Sequence, residues 1–286
     1  EITVHPLALI AIGLVAGILA GMMGIGGGIL VTPFLNLMGA SMTLAVPTSI
    51  NYIAGTSIMA TIRNRKFGNM NLKAGLITAV FMIPAVEASS WLMKLMDARK
   101  SATDDMIIRL LFIAFLIWST IAIGKRDESK KSETWLTKIR MPPMIKLEGG
   151  GEFSLVALAV GGIFAGLMAG LLGLGGGRVL LPLFMVLIAL DTRIAVGTSS
   201  FVIMITSIYG AVSYGAKGLV DYRAVCFLLV GSLVGAVIGT QALNAFKRST
   251  TRKMYVILTV GALIALFLKE LNAHSIAPWG VSLETI

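Results

Sequence analysis

Charged residues, cysteine and histidine are scarce in this chain of 286 residues. Only 13% of the residues are charged, whereas 56% are hydrophobic and the mean hydropathy is +0.88. A soluble domain cannot bury that much apolar surface, so lipid must solvate most of the chain. Cys226 is the single cysteine, and the two histidines, His5 and His274, lie near the chain ends. These absences exclude disulfides within the chain and predict that it uses no metal or cofactor.

Catalytic signatures are missing as well. The sequence contains no Gly-x-Ser-x-Gly motif, no phosphate-binding P-loop and no paired acids inside the apolar runs. We therefore predict that the protein is not an enzyme. Its net charge of +10 does not indicate nucleic acid, because the basic residues cluster between apolar runs, where a cytoplasmic orientation explains them. The expected partner is the lipid bilayer of the cell membrane, and a homo-oligomer is compatible with the sequence.

Apolar runs of two lengths fill most of the chain. The long ones can cross a hydrocarbon core of about 30 Å as helices, and the first is interpreted as a mature helix because it lacks a signal-peptide cleavage site. The short ones span only about half of that thickness. The long runs are 7–23, 44–62, 74–93, 106–123, 155–172, 194–214, 224–246 and 254–268, and the short runs are 29–38 and 179–190.

A Gly-rich motif directly before each short run shows that the chain is duplicated. Gly-Ile-Gly-Gly-Gly at 24–28, followed by Pro33, recurs at identical spacing as Gly-Leu-Gly-Gly-Gly at 173–177, followed by Pro182. Two homologous halves that build one fold are common in secondary transporters. The predicted domains are a first transmembrane repeat at 1–123, a charged cytoplasmic linker at 124–152 and a second transmembrane repeat at 153–286.

The direction of the short runs decides the topology. If they cross the membrane, each half has five crossings and the halves are inverted; if they re-enter, eight crossings remain and the halves are parallel. The inverted arrangement places more of the 24 Lys and Arg residues on the cytoplasmic side. We therefore predict an all-α polytopic membrane protein with two inverted repeats, which contain eight long helices and two short half-helices.

The Gly runs predict helix breaks inside the membrane. Repeated glycine disfavours helix continuation, and a half-helix that begins there presents unpaired N–H groups and the positive end of its dipole. Such an end binds anions. Close helix packing is the alternative, because small residues also let helices approach in lipid. The candidate substrate-binding glycines are Gly26, Gly27, Gly28, Gly175, Gly176 and Gly177.

Polar residues near the breaks extend this candidate site. Hydroxyl groups at the start of paired helices either bind substrate oxygens, or cap the helix or make interhelical hydrogen bonds. Arg178 directly follows the second run, where its guanidinium either grips an anion or extends to the membrane surface. Its counterpart in the first half is Ile29. The remaining candidates are Thr48, Ser49, Thr198, Ser199 and Asn51, the last of which has Phe201 as its counterpart.

Glu87 is the acid that lies well inside an apolar run. An isolated carboxylate at that depth is unfavourable and must be neutral, paired or hydrated. It is therefore a candidate proton carrier. A structural ion pair with a nearby basic residue is the alternative, and its counterpart Val237 shows that the repeat itself does not require an acid.

The motifs resemble those of the TauE/SafE sulfite exporter family, also called the toluene sulfonate uptake permease family. The resemblance rests on the two Gly runs with their prolines, on Ala-Val-x-Thr-Ser at 45–49 and 195–199, and on the Gly-x-x-Asn/Asp turns at 68–71 and 218–221. It covers nearly the whole chain, with Pro47 in place of a glycine as a mild departure. It implies transport of sulfite, sulfoacetate or other organosulfonates, driven by protons.

Two mechanisms fit these features. In the first, a secondary carrier alternates access around an anion site formed by the helix breaks. In the second, an anion channel uses the same positive helix ends, and the sequence contains no gate that separates the two. A carrier for another small organic anion also stays open.

Overall fold

The computed structural model describes residues 5–23, 27–99, 101–124, 144–146, 152–188, 190, 192–245 and 260–261. Within these ranges seven long helices and two short ones follow the predicted apolar runs. The predicted helix at 254–268 lies outside the described residues, apart from 260–261, which are helical. The helices are α1 Pro6–Met23, α2 Gly28–Leu37, α3 Met42–Lys66, α4 Leu72–Arg99, α5 Ala102–Gly124, α6 Leu155–Leu172, α7 Gly177–Leu187, α8 Thr192–Ala216 and α9 Tyr222–Ala245.

A short pair of strands departs from the all-α prediction. β1 (Met144–Lys146) pairs antiparallel with β2 (Glu152–Ser154), directly before α6. Ser154 also caps α6, since its side chain accepts a hydrogen bond from the N–H of Ala157. The rest of the predicted linker lies outside the described residues.

The outer surface of the helices is apolar. Val80, Val160 and Val212 on three different helices are each more than 60% exposed. Water does not favour such a surface, but lipid does. Four described helices are long and apolar enough to cross a membrane: 72–99, 155–172, 193–216 and 222–239. The chain is therefore a multi-pass membrane protein.

Glycines set the closest helix contacts. A Cβ atom at Gly13 of α1 would lie 2.1 Å from the carbonyl oxygen of Leu228 on α9. In the other direction, a Cβ atom at Gly235 of α9 would lie 2.1 Å from the carbonyl oxygen of Leu14 on α1. α6 packs on α4 in the same way, because a Cβ atom at Gly166 would lie 2.6 Å from the carbonyl oxygen of Met82. Without side chains between them, the backbones approach closely. The first helix of each half thus packs on the fourth helix of the other half.

Contacts between polar groups fix the helix directions. Thr61 Oγ1 donates to the carbonyl oxygen of Ser200 over 3.1 Å, and Ile50 lies beside Gly210, so α3 and α8 are antiparallel at the centre of the bundle. α3 and α9 are parallel. Thr48, in the first part of α3, lies beside the start of α9, and Arg63 Nη1, near the end of α3, donates to the carbonyl oxygen of Val237 in the second half of α9 over 3.2 Å.

The Gly-x-x-Asn/Asp motifs form the turns before α4 and α9. Gly68 has φ 67° and Gly218 has φ 73°, a left-handed conformation that glycine adopts readily. Asn71 Oδ1 accepts from the N–H of Ala74 over 2.9 Å, and Asp221 Oδ1 accepts from that of Ala224 over 3.1 Å. Both residues are therefore helix N-caps.

Candidate anion-binding site

The two helix breaks have the same backbone geometry. Gly27 precedes α2 with φ 74° and ψ −10°, and Gly176 precedes α7 with φ 73° and ψ −10°. A glycine has no side chain with which to cap the helix, and the first N–H groups of a helix have no partner within it. Both short helices therefore begin with available donors and the positive end of a dipole. The candidates Gly28 and Gly177 are their first residues, whereas Gly26 lies outside the described residues.

The second break lies at the middle of the bundle. A Cβ atom at Gly175 would be 3.1 Å from Ile53 Cγ2 and 3.3 Å from Ile203 Cγ2. These isoleucines lie near the midpoints of the 25-residue helices α3 and α8. The first break adjoins the second, because a Cβ atom at Gly28 would be 2.2 Å from the carbonyl oxygen of Gly173.

A buried polar cluster joins the two breaks. Ser49 Oγ lies 2.7 Å from Thr32 Oγ1 and donates to the carbonyl oxygen of Gly173 over 2.9 Å. Ser49 and Thr32 are fully buried. The structure thus brings the candidate Ser49 to the second Gly run. Sequence reasoning missed Thr32, although a hydroxyl inside the short helix α2, whose counterpart is Leu181, is a signal that could have identified it.

The other Ala-Val-x-Thr-Ser hydroxyls make structural hydrogen bonds. Thr48 Oγ1 accepts from the N–H of Asp221 over 3.1 Å, and Thr198 Oγ1 accepts from the N–H of Asn71 over 2.9 Å. Each threonine therefore holds the turn before a helix of the opposite half through an interhelical hydrogen bond. Ser199 Oγ donates within its own helix to the carbonyl oxygen of Val196, 2.9 Å away.

Asn51 and Arg178 occupy different positions relative to the breaks. Asn51 Nδ2 donates to the carbonyl oxygen of Pro47 over 3.0 Å, so its amide N–H₂ is used within α3. Arg178 is the second residue of α7, which places its backbone in the first turn of that half-helix. Its side chain is outside the described part of the structure.

Glu87 links the two halves through a network between α4 and α8. Its Oε1 lies 2.9 Å from Lys217 Nζ, and its Oε2 accepts from Ser213 Oγ over 2.6 Å and from Tyr209 over 3.0 Å. Lys217 also donates to Ser90 Oγ over 2.8 Å and lies 5.0 Å from the ring centre of Trp91. The structure therefore supplies the basic partner of the ion-pair alternative. Because Lys217 directly follows α8, Glu87 is level with the end of that helix.

The network is asymmetric within the repeat. The residues equivalent to Glu87 and Ser213 are Val237 and Arg63, and there Arg63 donates to the backbone carbonyl of Val237. The contact between α4 and α8 thus includes a pair of opposite charges, whereas the equivalent contact between α9 and α3 includes a guanidinium group and a backbone carbonyl.

Among the described residues no group of three or more His, Cys, Asp or Glu side chains could hold a metal ion.

Comparison with known proteins gives one family and several relatives. The family profile described as "Sulfite exporter TauE/SafE" matches residues 9–267. The probable membrane transporter protein YunE of Bacillus subtilis is 25% identical over 260 residues, which cover 88% of this chain and 92% of the relative. The probable membrane transporter protein MJ0441 of Methanocaldococcus jannaschii is 30% identical over 212 residues, 72% of this chain and 71% of the relative.

A plant relative carries the family name. Sulfite exporter TauE/SafE family protein 1 of Arabidopsis thaliana is 28% identical over 131 residues, which cover 44% of this chain and 28% of that protein. No solved structure gives a significant match.

Proposed function

The chain belongs to the sulfite exporter TauE/SafE family, and from this membership we propose that it is a secondary transporter of small sulfur-containing anions, such as sulfite, sulfoacetate or other organosulfonates. Its relatives YunE and MJ0441 are named probable membrane transporter proteins, in agreement with the prediction that it is not an enzyme. The observation that carries the proposal is the duplicated helix break, which begins two half-helices with the same backbone conformation beside the centre of the bundle.

The helix breaks supply the chemistry that a small oxyanion needs. A helix N-terminus carries roughly half a positive elementary charge and several N–H groups without intrahelical partners. Irregular backbone is tolerated at membrane depth only where it faces protein or a watery cavity. Two such ends near the bundle centre therefore favour anion recognition over packing alone, and Arg178 in the first turn of α7 would add a positive charge there.

We further propose that the two halves are inverted repeats that alternate access around this site. Two observations support the inversion. First, the equivalent helices α3 and α8 pack antiparallel. Second, α1 runs parallel to α9, and α9 runs parallel to α3, so α1 and α3 cross in the same direction. This is required if the Gly run and α2 return the chain across the membrane between them. Inverted halves can exchange conformations, which opens the site to one side and then to the other.

Proton coupling at Glu87 completes the proposal. Its carboxylate accepts hydrogen bonds from Ser213 and Lys217 of the second half, so protonation would remove the charge that holds α4 to α8. A group that joins two moving halves can couple its charge to their relative position. This explains why an acid in one repeat suffices.

The test is transport in proteoliposomes that contain the purified protein. We expect labelled sulfite to accumulate above its equilibrium level when a pH difference is imposed, and to fall back when an ionophore dissipates that difference. Equilibration without accumulation would contradict coupled transport and indicate passive movement, through a channel or a uniporter. Accumulation that ignores the pH difference would exclude proton coupling but leave anion transport intact.

A further inference from the structure

Tyr52 carries an unusual hydroxyl group. Its side chain on α3 is fully buried, and its Oη has no hydrogen-bond partner among the described residues. Buried hydroxyl groups are rarely left unpaired, because removal from water without a replacement partner is unfavourable. Phenylalanine would fill the same space without that loss. Among the described residues the hydroxyl therefore lacks a partner that would explain it, and a bound ligand would supply one.

The hydroxyl points at the first helix break. A Cβ atom at Gly27 would lie 3.0 Å from Tyr52 Oη, and Gly27 directly precedes the ten-residue helix α2. The donor thus adjoins the positive end of a helix dipole. Ser232 lies beside Tyr52. Its hydroxyl donates to the carbonyl oxygen of Leu229 over 3.1 Å, and its position relative to Tyr52 Oη does not meet hydrogen-bond geometry.

The second break lacks this feature. The residue equivalent to Tyr52 is Val202, and a Cβ atom at Gly176 would meet Met82 Cε at 2.8 Å and Ala169 Cβ at 3.4 Å. The two breaks therefore share a backbone conformation but differ in the side chains beside them. The three atoms nearest to a Cβ atom at Gly176 belong to two apolar side chains and one backbone carbonyl, whereas a phenol hydroxyl is among the nearest atoms at Gly27.

We propose that the Tyr52 hydroxyl donates a hydrogen bond to the anionic substrate, which binds at the N-terminus of α2. This inference rests on the proposed function and assigns the substrate to the first of the two breaks. The ligand is a small oxyanion, because a phenol donor and helix N–H groups together match a negatively charged oxygen. Tyr52, Gly27 and Gly28 are buried in this structure, so the halves must move before the substrate reaches them.

Tyr52→Phe tests the assignment with sulfite as the probe. We expect the variant to bind labelled sulfite about ten- to a hundredfold more weakly, as for the loss of one hydrogen bond to a charged group. Its melting temperature without sulfite should equal or exceed that of the wild type, because an unpaired hydroxyl has been removed. A merely structural hydroxyl would give the opposite change in melting temperature.

Tyr214→Phe is the matched control. Tyr214 is equally buried, but its hydroxyl donates to the carbonyl oxygen of Gly170 over 2.8 Å. This variant should melt at a lower temperature and keep its affinity for sulfite. Ser232→Ala should change neither the affinity nor the melting temperature by much.

Four results would overturn the assignment. Unchanged affinity of Tyr52→Phe would remove Tyr52 from the site and leave the proposed function standing. A lower melting temperature or loss of folding in Tyr52→Phe would show that the hydroxyl is structural, as would a Ser232→Ala variant that binds as weakly as Tyr52→Phe. If the wild-type protein bound neither sulfite nor any organosulfonate, the proposed function itself would fail, together with this assignment.

Discussion

Gly176 and Gly218 have the same φ of 73° but different surroundings. A Cβ atom at Gly176 would meet Met82 Cε at 2.8 Å, whereas nothing lies within 4 Å of the equivalent position at Gly218. Alanine is disfavoured equally at both by the left-handed backbone, at about 1–2 kcal/mol. A comparison of alanine at these two positions therefore separates the loss of stability from backbone strain from any further effect of a side chain at the helix break.

We expect Gly218→Ala to lose only this stability and to bind sulfite normally. Gly176→Ala should lose somewhat more stability. It should also bind sulfite more weakly, because a methyl group before α7 displaces its neighbours and the second break adjoins the first, where the substrate is assigned. Thermal melting with and without sulfite measures both quantities. Equal sulfite-induced shifts in the two variants would mean that the second break serves packing only.

Glu87 can be tested by a double substitution. Glu87→Gln leaves Lys217, whose side chain is only 9% exposed, without its carboxylate, and should reduce stability by roughly 1–3 kcal/mol. Adding Lys217→Gln should restore part of that stability. Uptake driven by a pH difference should be lost in both the single and the double variant. If the double variant kept its response to the pH difference, Glu87 would be an ion-pair partner and not the proton carrier.

The helices were predicted more accurately than their contacts. The apolar runs and the Gly runs are local features of the sequence, so α2 and α7 were predicted as short helices after the breaks. Which helices touch is not local: the hydroxyls of Thr48 and Thr198 serve turns in the opposite half, and the partner of Glu87 is Lys217, which follows a helix of the other repeat. No periodicity within one segment contains this information.

The contact between α1 and α9 depends on glycine. Gly235→Leu should force the two backbones apart and reduce stability by about 3 kcal/mol, the upper end for overpacking, because the obstacle is the backbone of Leu14 and not a movable side chain. Val234→Leu on the same helix, at a 56% exposed position, should change stability little. Thermal unfolding in detergent compares them, and similar melting temperatures would argue against close packing here.

The halves of the molecule are interlocked and not separate units. Each first helix packs on the fourth helix of the opposite half, and α3 lies against α8 at the centre. The duplication was readable from the sequence because the motifs recur at fixed spacing. The differences between the halves were only partly predictable from the sequence. The roles of Thr32 and Tyr52 depend on groups that lie beside them only in the folded protein.

The inverted arrangement predicts opposite labelling of equivalent positions. Lys73 and Arg223, both exposed near the starts of α4 and α9, are replaced singly by cysteine in a Cys226→Ser background. With the N-terminus outside, the orientation that the Lys and Arg distribution favours, a membrane-impermeant maleimide should label Lys73→Cys only from the cytoplasmic side and Arg223→Cys only from the outside. Labelling of both from the same side would indicate parallel repeats.

The packing of α1 on α9 has a consequence for biosynthesis. Gly13 leaves the ribosome early, but its partner Leu228 is made roughly 200 residues later, about 10–40 s at typical elongation rates. During that interval α1 sits in the bilayer with its glycine surface against lipid and not against its final neighbour. Completion of the bundle must therefore wait for the last part of the chain, and a ribosome that stalls within the second half should leave a first half that is inserted in the membrane but not assembled.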